Sequence, residues 1–230
     1  MKFIENLANY NITVFEFIET HNKRENANIN GFFLAPNIIV LKRIQKSIKR
    51  EIFTLAHEFG HYLLNIEEID DISEDYLHQT SLSRIEKWCN DFAWYFLAGD
   101  YADIIENLDN ASIQNNFQDD IVTEISKNTA LSSIAIYTRL VISNKISQNN
   151  YTDVCNRIFE AIQERENQKR LKIEQDKAQG IISQARPPKP IISPLVVKTL
   201  QSAFYEGIIG ESEFCKRLHI NPDKIERYLI

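Results

Sequence analysis

Three residues in the stretch 53–64, FTLAHEFGHYLL, have the types and spacing that metal chemistry needs: His57, Glu58 and His61, in the order H-E-x-x-H. On a helix, residues four apart share a face, so the two imidazoles converge on one point. Two neutral imidazoles arranged in this way clamp a transition metal, most often Zn²⁺. Glu58 lies about 100° around the helix from His57. From there it reaches a water on the metal without being a ligand itself, the arrangement of a metal-assisted hydrolase. The run around the three is apolar (Phe53, Leu55, Ala56, Phe59, Leu63, Leu64) and holds no proline, as a buried helix requires. Gly60, between the two histidines, costs about 1 kcal/mol of helix propensity against alanine. A glycine there suggests a neighbour packed close to the backbone.

A catalytic zinc site takes a third protein ligand and keeps one position open. The metzincin extension of the pattern needs Gly at 64 and His at 67. Leu64 and Glu67 stand there, which excludes that subclass. Two candidates remain for the third ligand. His78 sits in a polar stretch, whereas Glu86 lies on an apolar helical pattern, where a carboxylate needs a partner because a buried charge is costly alone. Spacing favours Glu86 only modestly. Asn90, one turn beyond Glu86, is a candidate hydrogen-bond partner for a ligand, with helix packing as the equal alternative. Cys89 reads as a buried structural thiol. Tyr62, Tyr76, His78 and Tyr95 are candidates for stabilising an oxyanion, and nothing in the sequence selects among them.

The elements that must position these residues can be read from pattern. Residues 2–9 give one short helical turn. Residues 12–19 are β-branched and aromatic and predict a strand, and 31–35 and 38–41 predict two more around Pro36-Asn37. The small sheet so formed precedes the motif helix, either covering one of its faces or offering an edge to an extended peptide by strand addition. Residues 67–79 are acidic and irregular, a solvated loop or a rim to the site. Residues 80–97 predict a second helix, capped by Thr80 or Ser81, with Gly99 just past its end. Residues 100–129 alternate helical pieces with polar breaks, and 132–143 form an amphipathic helix begun by serine. Residues 151–182 form a long charged helix that bridges rather than fills a core. Pro187, Pro188 and Pro190 mark a stiff linker. Beyond it three short helices are expected at 195–207, 211–218 and 222–229.

Size and composition exclude several classes. The chain of 230 residues is 43% hydrophobic, enough for a real core, and its net charge of −6 argues against generic polyanion binding. Three cysteines (Cys89, Cys155, Cys215), odd in number and far apart, form neither a disulfide framework nor a cysteine-rich zinc module. They suit a reducing compartment. The opening MKFIENLANYN lacks the apolar run of a signal peptide, and no stretch approaches the 18 apolar residues of a membrane span. The expected location is cytoplasmic, with a specific intracellular target.

The stretch R-x-x-F-T-L-A-H-E-F-G-H from Arg50 to His61, followed by E-x-x-x-N-x-F-A over Glu86, Asn90, Phe92 and Ala93, resembles the ImmA/IrrE metallo-endopeptidases. The strands before it and the segment from Ser132 to Arg139-Leu140 resemble that family too, so the likeness covers roughly 12–145. The chain departs from the family at Cys89, where alanine is usual, and at Leu97-Ala98-Gly99-Asp100, in place of a Leu-Met-Pro ending. Neither departure touches an expected ligand. The resemblance implies that Glu86 completes the metal site and that one Zn²⁺ is held by His57, His61 and Glu86. Glu58 is then the catalytic base. It also implies a partner: a helix-turn-helix repressor encoded nearby, often on a prophage or other mobile element, as the protein cleaved or inactivated. The ligand set would also accept Mn²⁺ or Fe²⁺.

The fold class expected is α+β and mostly helical. A small N-terminal sheet packs on a zincin-like active-site helix, followed by a helical bundle and a short helical C-terminal segment. The expected division is 1–150 for the metallopeptidase domain, 151–186 for the long helix and the start of the linker, and 187–230 for the C-terminal segment. Residues 213–229 have the outline of a helix-turn-helix. In the second of those helices Asp223 and Glu226 balance Lys224 and Arg227, so direct nucleic-acid binding is not expected. A partner-docking role fits better. The two other readings are a zinc-bearing protein that sequesters a repressor without cutting it, and a DNA-binding regulator. Sequence leaves the oligomeric state open.

Overall fold

The computed structural model describes residues 2–18, 30–43, 48–68, 83–179 and 192–229. The architecture is α+β and mostly helical: a three-stranded N-terminal sheet followed by helices. The chain divides into two compact units. The first comprises Met1–Ser47, Thr54–Ser73 and Lys189–Ile230, and the second Ile48–Phe53 with Glu74–Pro188.

The first unit opens with helix α1 (Lys2–Asn9) and strands β1 (Thr13–Ile18), β2 (Gly31–Leu34) and β3 (Ile38–Arg43). The sheet order is β1-β3-β2, with β3 central. β1 runs parallel to β3 from Thr13 opposite Ile38, and β2 runs antiparallel to it from Gly31 opposite Leu41. Side chains alternate as a half-covered sheet demands. Val14, Phe33, Ile39 and Leu41 are buried on one face, while Leu34 points to solvent. Leu7, Ile12 and Leu55 complete this core, with Phe3, Ile4, Phe59 and Tyr62 at its margin. Fully burying a side chain of this size contributes about 1.5–3 kcal/mol, so Phe33, Ile39 and Leu41 fix the sheet to the helix that carries the motif.

That helix, α2 (Ile48–Leu64), is 17 residues long. It stops where Asn65 takes a left-handed backbone, φ 53°. The Asn65 N–H donates to the Tyr62 carbonyl and the Ile66 N–H to the His61 carbonyl. This is the paired closure of a Schellman motif, made with asparagine instead of glycine. The first unit also contains α8 (Pro194–Tyr205), α9 (Glu211–Leu218) and a 3₁₀ turn at Pro222–Tyr228. α8 packs near α1 and β1. The 3₁₀ turn lies where a third α-helix was expected. The helix-turn-helix outline therefore lacks an α-helical second arm. The proline linker at 187–190 lies outside the described residues.

In the second unit, α3 (Arg84–Ala98), α4 (Tyr101–Glu106), α5 (Asp119–Asn128), α6 (Ser133–Ile142) and α7 (Gln148–Ala178) surround a core that includes Trp94, Ile105, Val122, Ile136, Tyr137, Leu140 and Val154. Serine caps set the start of three of these helices. The Ser83 Oγ accepts from the Glu86 N–H, Ser132 from Ala135 and Ser147 from Asn150. For α3 the cap is thus Ser83 and not Thr80 or Ser81, which lie outside the described residues. Gly99, at φ 52° and ψ −133°, turns the chain in a conformation open only to glycine. α4 follows two residues later, which accounts for the unusual exit from α3. α7 differs from its expected bridging role over its first turns. Tyr151, Val154 and Cys155 belong to the core, and nearly every residue from Phe159 onward is exposed.

Two polar anchors brace this unit. Arg139 on α6 donates to Asp91 (2.6 Å) and to the Tyr95 hydroxyl (2.8 Å) on α3, and its guanidinium lies over the Trp94 and Tyr95 rings. Lys49, in the first turn of α2, donates to the Ser126 carbonyl, the Ser126 Oγ (3.0 Å) and the Leu131 carbonyl (3.1 Å). Desolvation holds the Lys49 ammonium below the usual lysine range.

Candidate metal centre

Helix α2 sets three functional stripes side by side. Leu55, Phe59 and Tyr62 face the sheet. The pair His57 and His61, four apart, forms a second stripe, and the pair Thr54 and Glu58 falls between the two. Burial follows the chemistry. His57, Glu58 and His61 are 3%, 2% and 1% exposed. Helices rarely bury three such groups in two turns without a compensating partner.

The imidazole Nε2 atoms of His57 and His61 stand 3.2 Å apart. Two nitrogens held at about 2.0–2.1 Å on a tetrahedral ion are separated by about 3.3 Å, so the two rings are already spaced as ligands of one ion. Glu86, in the first turn of α3, is 2% exposed. One ligand atom from each of His57, His61 and Glu86 lies within 4.8 Å of the others. Among the described residues, no other group of three or more His, Cys, Asp or Glu gathers in this way. His78 and Tyr76, candidates from sequence, lie outside the described residues.

The local reason for Glu86 is its place in the helix. Ser83-x-x-Glu86 has the spacing of a capping box. The Ser83 Oγ accepts from the Glu86 N–H at 3.1 Å, as that box requires. The first turn of a helix favours negative charge. A carboxylate held there suits a cation. One carboxylate and two imidazoles so deeply buried form a donor set that fits a divalent ion, and two histidines with one glutamate match catalytic zinc.

The remaining sequence candidates separate on inspection. Tyr62 meets Phe33 edge-on at 5.9 Å and stacks on Phe59 at 5.8 Å, as part of the apolar core. Tyr95 donates to Glu106 (2.6 Å) and accepts from Arg139 on an exposed face of α3. The Glu106 carboxylate and burial raise the Tyr95 phenol above its ordinary range, with Arg139 opposing. Cys89 is fully buried, as a structural thiol should be, and Asn90 is half-buried one turn beyond Glu86.

Pattern reading passed over Gly31 and Thr54. A Cβ on Gly31 would lie 2.8 Å from Thr54 Cγ2, 3.0 Å from the Val40 carbonyl oxygen and 3.3 Å from Glu58 Cγ. The first residue of β2 thus lies directly against the Thr54/Glu58 stripe. The sequence signal was available: a glycine opening a strand marks a close backbone approach. At the other end of β2, the Ala35 N–H donates to the Glu67 carboxylate at 2.6 Å.

Residues 6–105 match the family described as the IrrE N-terminal-like domain, a peptidase family, and the match includes His57, His61 and Glu86. No curated protein and no solved structure matches the chain. Among the described residues no helix is long and apolar enough to cross a membrane.

Proposed function

We propose that this chain, whose residues 6–105 match the IrrE N-terminal-like domain family, is a zinc-dependent endopeptidase with Glu58 as its base. The observation that carries the reading is the buried cluster of His57, His61 and Glu86, with Glu58 buried next to His57 on the same helix. In this reading His57, His61 and Glu86 hold the ion. A zinc ion bound there supplies Lewis acidity to a peptide carbonyl and brings the pKa of water down to about 7. Glu58 accepts the proton of the attacking water and returns it to the departing amine. Its burial keeps competing solvent away from that carboxylate. Asn90 orients Glu86.

The substrate is an extended segment of a protein. β2 is an edge of the described sheet, and strand addition along it would bring a peptide backbone past Gly31 toward Glu58. Resemblance to the ImmA/IrrE metallo-endopeptidases supports a regulatory protein as the target, a cytoplasmic helix-turn-helix repressor encoded nearby. Cleavage of such a repressor would make the protein a switch of transcription without touching DNA itself.

The experiment is a comparison of parent and Glu58→Gln, each with one equivalent of zinc, on the candidate repressor. The reading expects fragments from the parent alone. Equal cleavage by the two proteins would remove Glu58 from the role of base.

A further inference from the structure

Gly31 has no positive φ, so its backbone is one that any residue adopts. The glycine is there for space. Thr54 Cγ2, the Val40 carbonyl and Glu58 Cγ stand where its Cβ would go, at 2.8, 3.0 and 3.3 Å. Thr54 is buried one turn before Glu58 on the same stripe of α2. The methylene stem of Glu58 therefore has the backbone of β2 against one side and the Thr54 stripe running up to it.

We propose that Gly31 and Thr54 are positioning residues for Glu58, a paired contact that fixes the direction of the carboxylate and couples it to whatever lies on the edge of β2. The inference rests on Glu58 acting as the base. A glutamate side chain free in solution spreads over many rotamers. A base must come within about 2.6–3.2 Å of the proton it takes, and a displacement near 1 Å can cost about a hundredfold in rate.

The coupling follows from the register. The Lys42 N–H donates to the Asn30 carbonyl, and Gly31 lies opposite Leu41. In an antiparallel pair bonded and non-bonded positions alternate. Phe32 and Leu34 thus bond to β3, while the N–H and C=O of Gly31 and Phe33 point away from it, to the edge. Ala35, next in that series, gives its N–H to the Glu67 carboxylate on that side. One residue, Gly31, presents its peptide groups to the edge and its Cα to the stem of Glu58. A substrate strand bonded there is registered against the base through a single backbone unit.

The test uses the full chain as parent, Gly31→Ala, Gly31→Ala with Thr54→Ser, and Glu58→Gln. Three readouts are taken: bound zinc, kcat and KM for cleavage of the repressor, and the visible absorption of the cobalt-substituted proteins. All four should bind one equivalent of metal, because no ligand is changed. Gly31→Ala should lose about 10–100-fold in kcat, with KM moved far less, and its cobalt spectrum should shift toward that of Glu58→Gln. Thr54→Ser, which removes the atom at 2.8 Å, should return both part of the way. Should Gly31→Ala fail to fold, Thr54→Ala serves in its place. It strips one wall from the Glu58 stem and should move kcat and the spectrum in the same direction. Parental kcat and a parental spectrum in Gly31→Ala would overturn the proposal, as would a loss that Thr54→Ser leaves unchanged. If the parent itself cuts nothing, the peptidase reading fails and the cobalt spectra alone decide this one. A Gly31→Ala spectrum equal to the parent's, with Glu58→Gln displaced, overturns it. A Glu58→Gln spectrum equal to the parent's takes Glu58 away from the ion and overturns it too.

Discussion

Glu58 and Glu86 are carboxylates of equal burial, yet the account gives them opposite tasks, and substitution separates them. Glu58→Gln keeps the size of the side chain and every proposed ligand. Its bound zinc should match the parent's, and cleavage should fall by about 10²–10⁴, the usual contribution of a positioned base. Glu86→Ala removes a proposed ligand, and metal analysis after gel filtration should find its zinc lost. One equivalent retained would return the third-ligand role to another residue. His57, Glu58 and His61 were legible from spacing alone because the helix period converts i, i+4 into a shared face. Glu86 was less so. Its approach to the histidines is a tertiary fact, and from the chain alone it competed with His78. Gly31 and Thr54 were not seen at all, because a strand and a helix meeting at one missing Cβ leaves only a glycine in the pattern.

At the scale of elements, helix ends carry much of the order. α3 begins at Ser83, whose Oγ holds the backbone N–H of Glu86. Ser83→Ala should cost about 1 kcal/mol in urea unfolding. It should also weaken zinc binding, because the turn that frays is the one bearing Glu86. Unchanged zinc affinity would mean that packing alone fixes that turn. Lys49→Met should cost about 1–3 kcal/mol by the same measurement, since the Ser126 carbonyl loses the Lys49 donor and the Leu131 carbonyl keeps only the Ser126 hydroxyl. Strands and helices were readable to within a few residues because period and caps agree. The misplaced α3 cap has a simple cause: Thr80, Ser81 and Ser83 all offer a hydroxyl, and only Ser83 has glutamate at the capping-box distance. Helix stops were harder. α1, α2, α6 and α9 end on Asn11, Asn65, Asn144 and His219 at positive φ, where glycine is the expected signal. The C-terminal 3₁₀ turn was expected as a helix because Asn221-Pro222 marks a start equally well for either.

For the molecule as a whole, the proposal joins a segment that matches a peptidase family, a deeply buried donor set and a sheet edge into one enzyme. An ion that binds the native chain and not the unfolded one adds stability by mass action, about 2.7 kcal/mol at a hundred times its dissociation constant. A chelator should therefore lower the thermal midpoint, and added zinc should restore it; Glu86→Ala should show no such response. The central claim is that the chain cuts a partner protein with a metal and Glu58. The most direct measurement is to incubate the purified protein with a candidate helix-turn-helix repressor, with zinc, with chelator, and with Glu58→Gln in place of the parent. The account predicts discrete fragments from the parent with zinc and an intact partner in the other two. A stable complex with no fragments, or fragments that form as fast with chelator present, would contradict it.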